Sequence, residues 1–270
     1  MPELPEVETT LRGISPSIQQ QRIDKIIIRQ AKLRWSVPDE IHCLEGHTVK
    51  SVTRHAKYIL INTATAGSAI IHLGMSGNLS ITNHDKSVEK HDHIDFIFNN
   101  NIRLCFNDPR RFGAILWSQD PLNHHLLSKL GPEPLSETFH TQHLYQRSRN
   151  KHIAIKQFIM NSHNVVGIGN IYASEALFMA GIDPQTPSGH IDLPHYEKLT
   201  LMIKEVLTKA IQQGGTTLRD FVNPNGQTGY FQVNLNVYGK AEQPCPNCSQ
   251  PIQKITQSQR STFYCTHCQT

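Results

Sequence analysis

The chain has 270 residues, with 26 Lys and Arg against 22 Asp and Glu. This length suggests one or two domains with a substantial buried core, and the mild positive excess permits a polyanionic partner without requiring one. The start lacks a basic segment followed by an apolar one, and no apolar run approaches membrane-spanning length, so we expect a soluble intracellular protein with no membrane partner.

The first eight residues read Met-Pro-Glu-Leu-Pro-Glu-Val-Glu. We expect Met1 to be removed because the residue after it is small, which would leave the secondary amine of Pro2 beside the carboxylate of Glu3. A secondary amine that attacks a carbonyl-level carbon forms an iminium, which stays cationic and acts as an electron sink. The sequence therefore marks Pro2 as a candidate nucleophile.

A helix is predicted directly after this terminus. Pro5 suits its first turn, and three apolar residues recur on one face, namely Val7, Leu11 and Ile14. Gly13 and Pro16 are expected to end the helix. A helix docked by that stripe would hold Pro2 still, whereas the alternative is a frayed terminus with two turn prolines.

From Arg22 to about Ser118, short β-branched and aromatic segments alternate with turn formers. The predicted strands cover residues 23–35, 47–54, 58–62, 68–75, 93–98, 102–106 and 114–117. This pattern predicts an all-β sandwich or barrel-like domain with the leading helix packed on it.

After Pro134 the apolar period becomes that of helices, which are predicted over residues 136–147, 152–161, 171–180 and 193–213. Residues 216–231 are rich in Gly and Asn without periodicity, which is typical of a functional or mobile loop. The remaining residues predict a small cysteine-bearing hairpin.

The strongest local signal is two Cys-x-x-Cys pairs. Sixteen residues separate Cys245 and Cys248 from Cys265 and Cys268. Four thiolates about 2.3 Å from one ion suit a closed tetrahedral zinc site, which is structural because it has no open position. Disulfides are the weaker alternative in a cytosolic chain. On the intervening hairpin, Arg260 suits phosphate recognition or is a solvated turn residue.

Two loop motifs are ambiguous when taken singly. Residues 165–170, Val-Val-Gly-Ile-Gly-Asn, predict either an anion site with Asn170 capping the next helix or an ordinary corner between helices. Residues 107–113, Asn-Asp-Pro-Arg-Arg-Phe-Gly, place Phe112 either as a wedge between bases or as a buried loop aromatic.

Three other positions also admit two interpretations. Met75 is either an apolar finger or a core residue at a strand end. Lys57, where two strands turn, either reaches into a cleft or is solvated. The segment His91-Asp92-His93 lacks a third metal ligand, so we expect hydrogen-bonded surface residues there.

In combination these motifs resemble one family, the bacterial formamidopyrimidine-DNA glycosylases. The Pro-Glu-Leu-Pro-Glu-Val-Glu-Thr start, His-Leu-Gly-Met-Ser-Gly, Asp-Pro-Arg-Arg-Phe-Gly, Gly-Ile-Gly-Asn-Ile-Tyr-Ala and the paired Cys-x-x-Cys occur in the family's order. The resemblance runs from Pro2 to Cys268. Related endonuclease VIII enzymes typically continue Gly-Pro-Glu where this chain has Leu-Pro-Glu, which favours the purine-lesion branch.

The resemblance implies an α+β multidomain fold. A catalytic β-sandwich with a leading helix would cover residues 1–130, a helix–two-turn–helix DNA-binding domain with a lesion-capping loop residues 131–232, and a zinc finger residues 233–270. The implied enzyme flips oxidised purines, chiefly 8-oxoguanine or formamidopyrimidines, out of duplex DNA. It would be a cytoplasmic, nucleoid-associated monomer with one structural zinc ion and no small-molecule redox cofactor.

The family pattern also implies roles for single residues. Pro2 attacks C1′ and expels the base, Glu3 acts as acid and base on the sugar, and Lys57 and Arg260 serve as proton donors or phosphate clamps. Other matching positions contact DNA or fill the space left by the flipped base: His72, His91, Lys151, Asn170 and Tyr238 in the first group, and Met75, Arg110 and Phe112 in the second.

Two positions depart from the family pattern. Arg219, in the loop 216–230 implied to close over the extruded base, stands where some relatives have Lys, which affects the preference between lesions. Gln259 stands where a Gly is common before the finger arginine, so the shape of that turn is expected to differ.

Overall fold

The computed structural model describes residues 2–214 and 235–270. Met1, Arg219 and the predicted capping loop 216–230 lie outside the described residues. The chain divides into two compact units, one containing the described residues up to Ser128 together with Gly214, and the other containing Lys129–Gln213 and the described residues from 235 onward. None of the helices in the described ranges combines the length and apolar character needed to cross a membrane.

The first unit contains a leading helix and eight strands. The helix α1 is Leu4–Ile18. The strands are β1 Ile23–Ile28, β2 Val49–His55, β3 Tyr58–Thr63, β4 Ser68–His72, β5 Asn78–Asn83, β6 Asp92–Phe98, β7 Ile102–Asn107 and β8 Ala114–Ser118. They form two antiparallel four-stranded sheets in the orders β1-β6-β7-β5 and β2-β3-β4-β8, which is the predicted sandwich.

One hydrophobic core joins α1 to both sheets. From the helix it takes Val7, Ile14 and Ile18, and from the sheets it takes side chains such as Ile59 and Phe96. These residues are at most 1% exposed, and burial of each large apolar side chain stabilises the fold by about 1.5–3 kcal/mol. The N-terminal helix is thereby fixed on the sandwich.

The helix α1 runs past the residues that were expected to end it. Pro16 lies inside the helix, which continues to Ile18. Proline lacks the N–H that would bond back to the preceding turn, but Ile14 and Ile18 on either side are fully buried. Burial of this last turn therefore outweighs the lost hydrogen bond, and the prediction that Gly13 and Pro16 stop the helix is wrong.

The strand β5 was not predicted. Its sequence Asn-Leu-Ser-Ile-Thr-Asn has two apolar residues, Leu79 and Ile81, and it lies at one edge of its sheet, paired with β7 alone. Only Leu79 is fully buried, so the sequence carries little of the pattern of a buried strand. Conversely, the predicted strands 23–35 and 68–75 end early, at Ile28 and His72.

The second unit is helical and ends in a hairpin. Its helices are α2 Thr141–Ser148, α3 Ile155–Met160, α4 Asn170–Ala180 and α5 Leu193–Gln212, followed by the strands β9 Gln253–Gln257 and β10 Arg260–Tyr264. The first two helices begin later than predicted, α2 because the His140 side chain caps it by accepting from the His143 N–H at 3.3 Å. A small core that includes Phe178, Val237 and Phe263 joins α4 to the hairpin.

Candidate functional site

The N-terminal residues are held in a helix cap. Pro2 is buried, and Glu3, 3% exposed, is the N-cap residue of α1. The Glu3 N–H donates to Glu6 Oε2 at 2.8 Å, and the Glu3 carboxylate accepts from the backbone N–H of Glu6. This reciprocal capping box satisfies two helix-end donors and holds Glu3, which directly follows the buried Pro2, at the start of α1.

A salt bridge ties this helix to the turn that carries Lys57. Arg54 Nε lies 2.8 Å from Glu8 Oε2, and an Arg54 terminal nitrogen donates to the carbonyl of Ala56 at 3.0 Å. Burial alone would raise the pKa of Glu8, but hydrogen bonds from Arg54 and Arg12 hold that pKa below its ordinary value. The half-buried Lys57 follows directly, in the two-residue turn between β2 and β3.

His72 ends the neighbouring strand β4 as a neutral imidazole. Burial, and then the positive charges of Lys57 and Arg34, lower the pKa of His72 to about 4. Its Nδ1 accepts from the Gly74 N–H at 3.0 Å, so the neutral ring carries its proton on Nε2. His72 therefore offers a hydrogen-bond donor without a charge.

Asp108 is fully buried and joins two loops by hydrogen bonds, the loop 73–77 after β4 and the loop 108–113 after β7. Its carboxylate accepts from Ser76 Oγ at 2.7 Å and from the Gly113 N–H at 2.8 Å. The His93 Nε2 lies 2.8 Å from its backbone carbonyl. Sequence analysis did not single out Asp108, because a carboxylate in a charged loop normally indicates a solvated residue.

These loops present two apolar side chains to solvent. Met75 is 38% exposed and Phe112 is 47% exposed, and the Arg110 guanidinium lies 4.9 Å from the centre of the Phe112 ring. The core alternatives for Met75 and Phe112 are therefore wrong. The Asp108 carboxylate joins the loop of Met75 to the loop of Arg110 and Phe112, and we call these three residues the apolar and cationic tip.

The expectation of surface residues at positions 91–93 is only partly correct. His91 is half-buried in the turn before β6, and its carbonyl accepts from the Asp108 N–H at 3.1 Å. Asp92 and His93 are each 7% exposed. They are buried because Asp92 accepts from Asn107 at 2.8 Å and His93 bonds the Asp108 loop.

In the second unit, the glycine-rich segment 165–170 leads into α4, with Gly169 as the residue that caps the helix. Asn170 is the first helical residue, so it does not hold the capping position that one of the two alternatives gave it. Asn170 Nδ2 instead donates to the Ser261 carbonyl at 2.9 Å and lies 3.5 Å from the Tyr238 hydroxyl. Among the described residues, Asn170 Oδ1 is buried without a hydrogen-bond partner.

Glu175 positions Tyr238, and sequence analysis missed it. The Glu175 carboxylate, 1% exposed, accepts hydrogen bonds from the backbone N–H groups of Asn236, Val237 and Tyr238 at 2.7–2.9 Å. A carboxylate on the mostly apolar helix α4 gives no periodic signal of such a role. The contact fixes the segment that enters the zinc-finger region.

Asn170 and Arg260 line one cavity of about 240 Å³. Its wall also contains Lys156, 2% exposed, whose Nζ donates to Thr262 Oγ1 at 2.8 Å and to the Ser261 carbonyl at 3.2 Å. Sequence analysis did not identify Lys156. Lys151 lines a different cavity of about 580 Å³ beside Arg147 and His163.

The four predicted zinc cysteines meet at one point. Each offers a sulfur within 4.8 Å of the others, with 3.9 Å between the Sγ atoms of Cys245 and Cys268 and 3.4 Å between those of Cys248 and Cys265. A tetrahedral zinc with Zn–S bonds of about 2.3 Å needs sulfurs about 3.8 Å apart, so these residues fit one zinc ion. Burial would raise the pKa of Cys265, but backbone N–H groups of Cys268 and His267 outweigh it and lower that pKa to about 7.

Three family models match the chain. They are described as the formamidopyrimidine-DNA glycosylase N-terminal domain over residues 1–115, the formamidopyrimidine-DNA glycosylase H2TH domain over residues 130–222, and a zinc finger found in FPG and IleRS over residues 242–270. Formamidopyrimidine-DNA glycosylases of Pseudomonas putida and Marinobacter nauticus are 51% and 52% identical over 270 residues, covering all of both chains.

Solved structures of this kind also match nearly the whole chain. The MutM (Fpg) protein of Thermus thermophilus superposes with a TM-score of 0.89 at 31% identity, over 99% of this chain and 98% of that one. Lactococcus lactis Fpg, in one structure a G226P mutant with DNA containing Fapy-dG and in another with abasic-site DNA, gives TM-scores of 0.91 and 0.90 at 32% identity, covering 99% of each chain. These matches confirm the predicted α+β architecture of sheets, helical domain and zinc finger.

Proposed function

The chain belongs to the formamidopyrimidine-DNA glycosylase family, and from this premise we propose which of its residues carry out the reaction. It is a bifunctional base-excision-repair enzyme, a DNA glycosylase that removes oxidised purines from duplex DNA and a lyase that nicks the abasic site. The observation that carries the residue assignment is the buried capping box, which holds Pro2 beside the Glu3 carboxylate at the start of α1.

Pro2 is the nucleophile once Met1 has been removed. Its nitrogen lone pair forms a bond to C1′ of the damaged nucleotide, and the C1′–N bond breaks with its electrons leaving on the base. The bonded nitrogen gives up its N–H proton, which the departing base takes up. Glu3 then donates a proton to the ring oxygen as the C1′–O4′ bond breaks, which leaves an iminium between Pro2 and C1′. The cap supports this assignment because it fixes the Glu3 carboxylate on the backbone N–H of Glu6, directly after Pro2 in the chain.

The iminium then allows the strand to break. It acidifies C2′, and loss of that proton expels the 3′ phosphate, after which a second elimination expels the 5′ phosphate and leaves a gap flanked by phosphates. We assign Lys57 and Arg260 to these eliminations as proton donor or phosphate clamp. In support, the turn carrying Lys57 is linked to α1 through Arg54 and Glu8, and Arg260 lines the cavity that contains Asn170.

DNA contacts divide between the two units. His72, His91 and Arg110 belong to the first, and Lys151, Asn170 and Tyr238 to the second. His72 donates its Nε2 proton to the DNA backbone as a neutral group, in accord with its low pKa. Met75 and Phe112, both exposed, fill the stack when the damaged base is flipped out, together with Arg110. We assign Arg219 to the loop over the extruded base.

Zinc has an architectural role. Cys245, Cys248, Cys265 and Cys268 would hold the ion, whose bonding braces the hairpin that carries Arg260. We further propose that the enzyme works as a cytoplasmic, nucleoid-associated monomer and needs no small-molecule redox cofactor. The elimination chemistry supports the last point, since none of its steps changes the net oxidation level of the sugar and the protein together.

Borohydride trapping on duplex DNA with 8-oxoguanine opposite cytosine tests the assignment. Reduction of the iminium should give a covalent adduct that peptide mapping places on Pro2, in protein whose intact mass shows loss of Met1. Lesion-specific binding without an adduct would contradict the assignment and favour a non-catalytic DNA-binding protein. A parallel substrate with an oxidised pyrimidine separates the alternative endonuclease VIII-like preference, which predicts faster cleavage of that duplex.

A further inference from the structure

The hairpin turn that precedes Arg260 is strained by its own sequence. Ser258 and Gln259 link the paired residues Gln257 and Arg260, and both have left-handed backbones with φ of 46° and 62°. Two-residue turns with two positive φ values favour Asn-Gly, because a Cβ atom crowds the backbone in this conformation. Neither residue is glycine, so a contact from outside the turn would stabilise its shape.

The support comes from helix α3. Gln157 Nε2 donates to Ser258 Oγ at 2.6 Å, across 101 positions of sequence. The adjacent Lys156 binds Thr262 and the Ser261 carbonyl, on the far side of Arg260. The helix therefore holds the hairpin both before and after Arg260.

The helix α3 is itself held in place by buried side chains. Ile155, Phe158 and Ile159 of α3 are at most 2% exposed, so its backbone is fixed by the core of the second unit. Within the hairpin, Thr262 Oγ1 also donates to Gln257 Oε1 at 2.8 Å, which joins the two strands next to the turn. Gln157 is the residue that reaches the turn itself.

We propose that Gln157, acting through Ser258, is a positioning residue that keeps Arg260 aimed at a DNA phosphate. The role is needed because the turn lacks the glycine that would adopt its backbone without strain. The proposal rests on the function assigned above to Arg260 as a phosphate clamp or proton donor during strand cleavage. Gln157 acts through the turn and does not itself contact the reacting atoms.

The test uses Gln157→Met in the zinc-loaded full-length enzyme. Methionine keeps the length of the side chain and removes the donor, so the rate of 5′-side cleavage of abasic-site DNA in single turnover should fall about three- to ten-fold. Borohydride trapping at the N-terminus and zinc content should stay at wild-type values. Gln146→Met, an exposed glutamine on α2, is the matched control and should cleave normally.

Rescue separates positioning from direct DNA contact. Adding Gln259→Gly to Gln157→Met should restore 5′-side cleavage, since glycine adopts the left-handed conformation freely. Ser258→Ala should reproduce the defect, and the Gln157→Met/Ser258→Ala double variant should be no worse than either single one. A wild-type rate for Gln157→Met, or failure of Gln259→Gly to restore cleavage, would overturn the proposal.

Arg260→Ala, measured in the same assay, distinguishes failure of the role proposed for Gln157 from failure of the role proposed for Arg260. If Arg260→Ala loses 5′-side cleavage and Gln157→Met does not, only the positioning role is overturned. If Arg260→Ala cleaves at the wild-type rate, the role proposed for Arg260 is wrong, and the positioning role is overturned with it.

Discussion

At the scale of single residues, buried polar groups position the side chains that we assign to DNA. Asp108 anchors the loops of Met75 and Phe112, and Glu175 anchors Tyr238. A buried carboxylate is stable only where hydrogen bonds replace its water, and each of these accepts at least two from backbone or hydroxyl donors. The placement of Met75, Phe112 and Tyr238 thus depends on buried carboxylates.

His72 should make the folded protein sensitive to mild acid. Its pKa is about 4 in the folded protein and 6.5 ordinarily, so between these values the unfolded chain binds a proton that the folded protein does not. The contribution of His72 to stability is therefore full above pH 6.5 and is lost as the pH falls toward 4. Between pH 7.5 and pH 5 it amounts to about 2 kcal/mol.

Urea unfolding at the two pH values checks this expectation. His72→Gln should reduce the loss of unfolding free energy on acidification, since glutamine does not titrate. The exposed His47 offers a matched control, and His47→Gln should retain the wild-type loss. An undiminished loss in His72→Gln would show that other groups govern the acid response.

At the scale of helices and strands, the sequence predicts those elements whose buried apolar residues recur at regular spacing. The helix α5 buries Leu199, Ile203 and Leu207 at helical spacing, and it was predicted to within one residue at its end. The edge strand β5 and the last turn of α1 were missed, because a half-polar strand has little periodic signal and an internal proline such as Pro16 normally indicates the end of a helix.

Long-range polar contacts escaped prediction for a different reason. The Asp108 anchor spans 32 positions to Ser76, and the link from Gln157 to Ser258 spans 101. No spacing rule relates residues so far apart, and a polar residue normally indicates the surface. The zinc cysteines were predictable because the ion imposes two short spacings within the chain.

Gly74 should be indispensable for the loops that carry Met75 and Phe112. Its φ is +64°, and a Cβ atom there would lie 2.4 Å from the Gly113 nitrogen and 2.5 Å from the Phe112 carbonyl oxygen. Gly74→Ala must therefore move one loop away from the other, which should cost about 1–3 kcal/mol of stability. Affinity for lesion-containing duplex, measured by fluorescence anisotropy, should fall at least about ten-fold.

Gly46 provides the control for backbone strain alone. Its φ is +78°, and nothing lies within 4 Å of a Cβ built there. Gly46→Ala should cost about 1 kcal/mol and leave the affinity for lesion DNA unchanged. Equal DNA affinity in Gly74→Ala and Gly46→Ala would refute the claim that the close approach of the two loops shapes the DNA-binding tip.

At the scale of the whole molecule, the two units have separate hydrophobic cores. One core joins α1 and both sheets, and another joins α4, Val237 and the hairpin, with Cys245 and Cys265 among its members. Because the zinc cysteines belong only to the second, loss of the metal should loosen the hairpin and leave the sandwich folded. Pro2 and Arg260 would then respond differently to the same treatment.

Chelation of zinc from the native enzyme tests this separation. Hydrogen exchange should accelerate in β9 and β10, where the metal braces the strands, and should stay unchanged in β3 and β6 within the sandwich. Strand cleavage should be lost because Arg260 is no longer held in place, and it should recover when zinc is added back. Cys43→Ser is the matched thiol control, since Cys43 is exposed and lies outside the cluster. The sandwich core contains none of the four zinc cysteines, so loss of the zinc–sulfur bonds should not loosen it directly. Faster exchange throughout the sandwich would therefore mean that the two units unfold together.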